Sequence, residues 1–196
     1  MPPRKNPLPP DPETQLADAA LKLLAKRPWQ ELTLAAVARG AKLKLAELQR
    51  IAPSKPRLFG LILRRIGTEL AARHKAEPGE THDRMFDVAM AWFDVLAGRK
   101  KAVRSLYEGL RRDPLSLVAA RDDILETAHW LMALAEADTG PALSLRALGF
   151  AAVLGHAVPA WLEDGPDLAK TMARLDSDLR RGESVLKRGP LAGGED

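Results

Sequence analysis

Residues 33–58 read TLAAVARGAKLKLAELQRIAPSKPRL, and this stretch decides the fold. Thr33 is a good N-cap for a short helix from Leu34 to Ala41 that turns Leu34, Val37 and Ala38 inward. A tight turn follows. A second short helix then runs from about Leu45 to Ile51, with Leu45 and Leu48 inward. Pro53-Ser54 stops it, and Ser54 caps a long third helix. This is the layout of a helix-turn-helix unit, whose second helix can enter the major groove of DNA.

Outward from this segment the pattern stays helical. Asp11-Pro12-Glu13 is an N-cap followed by proline in the first turn, and Leu16, Ala19, Ala20, Leu23 and Leu24 form the buried stripe behind it. Pro28 ends that helix. The helix capped by Ser54 runs to about Lys75 and buries Leu58, Leu61, Ile62, Ile66 and Leu70. Glu77-Pro78-Gly79-Glu80 is a break and the best domain boundary. Beyond it, helices are expected from Thr81 to Ala97, Lys101 to Arg112 and Pro114 to Ala137, with an interruption near Ala120–Asp123. A further helix runs from Thr139 to Asp164, with Pro159 expected to kink or interrupt it, and a final one from Asp167 to Lys187. Spacings of three and four recur and no strand pattern survives. The chain therefore reads as all-α with about nine helices. Residues 11–75 form a compact bundle and 80–188 a larger one, between a disordered arm at 1–10 and a disordered tail at 189–196.

Charge is unevenly spread. Residues 1–75 carry 15 Lys/Arg against 6 Asp/Glu, whereas residues 76–196 carry 15 against 20. A basic N-terminal third on an acidic remainder suits a nucleic-acid module on a regulatory body. It also suits a solvated basic helix face. There is no cysteine, so disulfides and thiolate metal sites are excluded and a reducing cytoplasm is the simplest compartment. No uninterrupted apolar run approaches the roughly 18 residues of a membrane span, so integral membrane insertion is not expected. Catalytic triad spacing, glycine-rich phosphate loops and metal-ligand spacing are absent. The expectation is no enzymatic activity, no metal and no cofactor.

The first 75 residues resemble the TetR/AcrR family of bacterial transcription regulators. The resemblance rests on Ala19-Ala20-Leu21-Lys22-Leu23-Leu24-Ala25, on Thr33 with Leu34-Ala35-Ala36-Val37-Ala38, and on Ile51-Ala52-Pro53-Ser54-Lys55 closing the recognition helix. It implies a homodimer that reads double-stranded operator DNA as a repressor. It also implies a C-terminal domain that dimerises, here through residues 142–187, and encloses a small apolar effector. In place of the family's usual Gly-Val-Ser-Lys-Gly-Thr-Leu-Tyr, this chain has Lys42-Leu43-Lys44-Leu45-Ala46-Glu47-Leu48-Gln49. Lys44 removes the Ser cap, at a cost on the order of 1 kcal/mol. The resemblance places Thr33, Lys42, Lys44, Arg50 and Lys55 on phosphates, and Gln49 and Glu47 at base edges.

A second resemblance covers about forty residues near the C-terminus. Trp161-Leu162-Glu163-Asp164-Gly165-Pro166-Asp167-Leu168, followed by Thr171-Met172-Ala173 and Leu175-Asp176, is similar to the closing segment of the ubiquinone-biosynthesis accessory proteins. Those share the fold but resemble lipid carriers. This implies a lipid or quinone-type isoprenoid as the alternative ligand, without DNA reading.

Phe86, Met90, Phe93, Tyr107, Trp130 and Phe150, and with them Met85, Trp92, Met132 and Trp161, are candidates to line the apolar pocket, since aromatics and methionine suit such a site; ordinary core is the other reading. His156 reads either as a polar group sensing ligand or as a core or interface histidine. Asp122-Asp123 reads as cap or solvated surface. Arg99-Lys100-Lys101, Arg104 and Arg111-Arg112 form a second basic patch, either solvated or facing anionic headgroups or nucleic acid.

Overall fold

The computed structural model describes residues 11–75, 77–140 and 142–188. The arm at 1–10 and the tail at 189–196 lie outside them. The described residues form ten α-helices and one 3₁₀ turn, with no strand. The count exceeds the expected nine because the chain breaks at Ala120 between two separate helices.

The first four helices form the N-terminal bundle. They are α1 (Pro12–Leu24), α2 (Leu34–Gly40), α3 (Leu45–Ile51) and α4 (Lys55–Ala71), with the 3₁₀ turn Trp29–Glu31 between α1 and α2. Their starts follow local chemistry. Asp11 accepts a hydrogen bond from the Thr14 amide at 2.9 Å, and Thr33 accepts one from the Ala36 amide at 3.2 Å. Ser54 does the same for Arg57 at 3.4 Å. Each satisfies an amide that the first helical turn leaves without an internal partner. Leu16, Ala20, Trp29, Val37, Leu48, Leu58 and Ile62 close the core between these helices.

The remaining helices pack onto α4 and around one another. They are α5 (Thr81–Ala97), α6 (Lys100–Arg112), α7 (Pro114–Ala119), α8 (Arg121–Leu134), α9 (Leu143–Glu163) and α10 (Ala169–Arg188). Helix α4 lies against α1 on one side and α5 and α8 on the other, and α9 lies between α8 and α10. Pro159 does not interrupt α9. Its missing N–H and its ring fall opposite the carbonyl of Gly155, which is exposed, so water can take the freed acceptor.

By length and composition α9 is apolar enough to cross a membrane, with a mean hydropathy of 1.4 over its best window; that is weak evidence for a crossing. Ala147, Phe150, Leu154, Ala157 and Trp161 turn toward the core. Leu145 and Leu148 on the opposite side are half exposed, as are Met172 and Val185 on α10.

Two close approaches tie the bundles together. A Cβ built on Gly109 of α6 would fall 2.4 Å from the Trp29 Cβ, and one on Gly60 of α4 would fall 2.3 Å from the Asp123 Cγ. Only glycine lets these surfaces meet so closely. Around the first, the Gln30 amide donates to the Gly109 carbonyl at 3.3 Å, and the Ser105 hydroxyl donates to the Arg27 carbonyl at 3.0 Å. Around the second, Asp123 is 5% exposed and accepts from Arg57 at 3.0 Å, with Arg64 at 3.8 Å. The expectation that Asp123 is a cap or surface carboxylate is therefore corrected: it is a buried anchor for α4.

Candidate nucleic-acid interface and ligand cavity

The turn between α2 and α3 is a Schellman closure. The Leu43 amide reaches back to the Ala38 carbonyl at 2.9 Å and the Lys42 amide to the Arg39 carbonyl at 3.1 Å. The residue between must be left-handed, and Lys42 has φ 59°. Glycine is the usual occupant; a lysine there accepts roughly 1 kcal/mol of strain and projects a cation from the turn.

Helix α3 has no side-chain acceptor at its N-cap, because Lys44 has none to offer. Glu47, three residues on, supplies one: its carboxylate accepts from the Lys44 amide at 2.8 Å. This is one half of a capping box, with a negative charge at the positive end of the helix. One Glu47 carboxylate oxygen thus serves its own backbone, a folding task beside the base contact that the resemblance implies.

Leu48 is fully buried beneath α3. Lys42, Lys44, Gln49 and Arg50 are exposed on the turn and on α3, and Thr33 is exposed at the start of α2. Leu45, expected inside, is 53% exposed as well. Lys55 departs from the set. Its ammonium donates to the Trp29 carbonyl at 2.8 Å and the Gln30 carbonyl at 3.0 Å, and lies 5.4 Å above the Trp29 ring. Burial lowers its pKa, and the negative charge of Asp113 opposes that shift. Lys55 clamps the 3₁₀ turn to the start of α4 and turns away from the surface that α3 presents.

An apolar cavity of about 410 Å³ lies deeper, lined by α4, α5, α6, α7, α8 and α9. Its wall is mainly aliphatic, with Ile62, Ile66, Leu96, Val103, Leu131 and Leu154 among the lining residues, together with Phe59 and Trp92. Of the expected pocket residues, Trp92 and Tyr107 are on this wall and the others are elsewhere. Phe93 is fully buried and packs on Trp161 at 5.5 Å between ring centres. Phe86 and Met90 are half-buried against the core. All three turn off the α5 face that carries Trp92 and Leu96. Trp130 is 49% exposed, in a cleft of mixed polarity between α4 and α8. Phe150 and His156 line a groove between α9 and α10. There His156 Nδ1 meets the nearly buried Asp178 at 2.6 Å. The expected pocket residues are thus divided among the cavity wall, the packed core and the surface grooves.

The C-terminal segment from Trp161 to Asp176 builds structure. Trp161 is fully buried, and Asp164 accepts from the Thr171 amide at 2.7 Å and its hydroxyl at 2.6 Å, fastening the first turn of α10. His82 on α5 then joins α10 further along, between Asp176 at 3.0 Å and Glu183 at 2.9 Å. Burial pushes the His82 pKa down, but the hydrogen bonds to Asp176 and Glu183 outweigh it and the net shift is upward.

No family model matches the sequence, and no curated protein matches it. Solved structures do resemble it. A TetR transcriptional regulator from Nitrosomonas europaea superimposes with a TM-score of 0.63 at 17% identity, over 89% of this chain and 99% of that one. Another, from a Rhodococcus species, gives 0.60 at 16%, over 90% and 96%. The multidrug binding protein EbrR, complexed with imidazole, gives 0.54 at 22%, over 93% and 97%. Superimposing along about nine tenths of its length on these structures, the protein has the TetR/AcrR-type fold.

Proposed function

We propose that this chain is a transcriptional regulator: a homodimer that holds operator DNA through α3 and the turn before it, and releases the DNA when a small apolar ligand fills the cavity. Residues 11–75 would be the reading module, and 80–188 the ligand and dimerisation domain. The carrying observation is the exposed set Thr33, Lys42, Lys44, Gln49 and Arg50 on a helix-turn-helix whose scaffold is intact. Lys42, Lys44 and Arg50 would supply phosphate contacts, with Thr33 beside them, and Gln49 has the amide geometry to read adenine. Helix α4 connects this surface to the cavity, since it starts at the clamp made by Lys55 and carries Ile62 and Ile66 on the cavity wall. The half-exposed Leu145, Leu148, Met172 and Val185 on α9 and α10 would be covered in a symmetric four-helix interface. Two modules would then sit on half-sites about one helical turn apart.

The test is a salt-titrated binding assay on the DNA upstream of the chain's own coding sequence. A duplex from that region bound in clear preference to random duplex is the expected result. Equal, purely salt-dependent binding to both would sink the reading.

One observation favours a second reading, a lipid or isoprenoid carrier on the same fold. Leu45 stands 53% exposed on the helix that would face DNA. Native mass spectrometry of the purified chain separates the two: a co-purifying quinone, isoprenoid or phospholipid without DNA binding would favour the carrier.

A further inference from the structure

We infer that the cavity takes a single-chain amphiphile with an anionic head, the chain lying among the aliphatic side chains and the head bound at Arg111 and Tyr107. This rests on the proposal that the cavity is a ligand site and goes further by naming the chemical class. Four lining residues carry side-chain hydrogen-bonding groups, Trp92, Tyr107, Arg111 and Thr127, and of these Arg111 alone is charged. Thr127 is already used, since its hydroxyl donates to the Asp123 carbonyl at 2.8 Å. Tyr107 and Arg111 make no hydrogen bond or ion pair with another described residue; the guanidinium lies 5.6 Å from the Tyr107 ring. Arg111 lines the cavity and is also exposed, and so is Leu117 opposite on α7. The cavity therefore meets solvent at the α6–α7 corner, with a cation and a phenol hydroxyl at its mouth.

Three other members of the basic patch, none of which lines the cavity, differ. Arg99 donates to Glu69 at 2.8 Å, Lys100 to the Asp164 carbonyl at 2.9 Å and Arg104 to the Leu162 carbonyl at 3.0 Å. Those three hold helices together. Arg111 keeps its five donors available, in a fork that matches a carboxylate. Among the described residues no carboxylate lines the cavity, so a cationic amphiphile would bring an unpaired charge to a cationic mouth. A neutral head could take only hydrogen bonds from Arg111 and Tyr107 and would leave the guanidinium charge unpaired. An anionic head satisfies both at once.

The experiment is isothermal titration of the full chain, below micellar concentrations, with dodecanoate, dodecanol and dodecyltrimethylammonium. The expected order is dodecanoate first, about tenfold or more above dodecanol, and the ammonium last. Arg111→Gln should bring dodecanoate down to the level of dodecanol and leave dodecanol unchanged; Tyr107→Phe should lower dodecanoate by a smaller factor. Arg111 is exposed, so its replacement is expected to fold, and a far-UV spectrum checks that. If dodecanol binds as well as dodecanoate, or if the dodecanoate preference survives in Arg111→Gln, the anionic class is overturned while the cavity reading stands. If none of the three binds, the cavity reading itself fails and this inference falls with it.

Discussion

Replacing Glu47 separates its folding task from any part in DNA recognition. Glu47→Ala removes the acceptor for the Lys44 amide, a contact of 2.8 Å. The lost cap costs about 1 kcal/mol. Loss of the favourable charge at the helix N-terminus adds about 0.5 kcal/mol, and alanine's better helix propensity returns about 0.4 kcal/mol. The net destabilisation is about 1 kcal/mol, or a fall in Tm of about 2–4 °C for a chain of this size. The same change removes a negative charge from a surface proposed to meet phosphates, so affinity for random duplex should rise several-fold at low salt and converge with wild type as salt is added. Glu47→Gln keeps an acceptor and loses the charge: its Tm should stay near wild type while duplex binding still tightens. Urea or thermal unfolding followed by circular dichroism, with fluorescence anisotropy on a labelled duplex, measures both quantities. Unchanged unfolding of Glu47→Ala would refute the capping role. A Glu47→Gln protein that loses affinity for one preferred sequence and keeps it for random duplex would show that the carboxylate reads a base.

Other perturbations test other joints. Lys42→Gly should raise stability by about 0.5–1 kcal/mol, because a left-handed residue at φ 59° is relieved. It should also lower the salt slope of DNA binding by about one; a Tm that does not rise would contradict the strain. Gly109→Ala places a Cβ against a Trp29 Cβ that no rotamer change can move, so it should cost about 1–3 kcal/mol and shift Trp29 emission. An unperturbed melt and spectrum would show that α6 and the 3₁₀ turn are not in such close contact. His82 is predicted to make folding pH-dependent. Its folded pKa is raised by the hydrogen bonds to Asp176 and Glu183 against the burial that lowers it. Its stabilising contribution is therefore complete below the ordinary histidine value and is lost as pH rises through the raised folded value. Urea midpoints of wild type measured from about pH 6 to about pH 9 should fall relative to His82→Phe, and parallel curves would count against the pairing.

What the sequence reveals and what it hides divide by range of interaction. Asp11, Thr33 and Ser54 were legible because an N-cap acts within three residues of itself, and the periodicity of Leu58, Ile62 and Ile66 likewise needs no partner to be seen. Lys55 was not. Its position matches a phosphate contact, but the carbonyls of Trp29 and Gln30 that hold it are set by tertiary packing. Asp123 sat in an acidic pair with a surface pattern, and only the approach of α4 at Gly60 buries it. The cavity was the least legible feature. Size and polarisability pointed to Phe93, Phe150 and Trp130, yet a void is what packing leaves over, and no residue's identity records it. Glu47 lay between these cases: its spacing from Lys44 is that of a capping box, but with lysine at the cap position the pattern lacked its usual first letter.

With the acceptor at residue 47, helix initiation no longer constrains residue 44. Where a serine serves as both cap and surface group, selection on folding freezes the position that meets the ligand. Here the two pressures fall on different codons. Substitutions at 44 can explore charge and length at little thermodynamic expense, while 47 becomes the invariant site. Among descendants of this sequence, divergence in binding preference should therefore accumulate at 44 and conservation at 47.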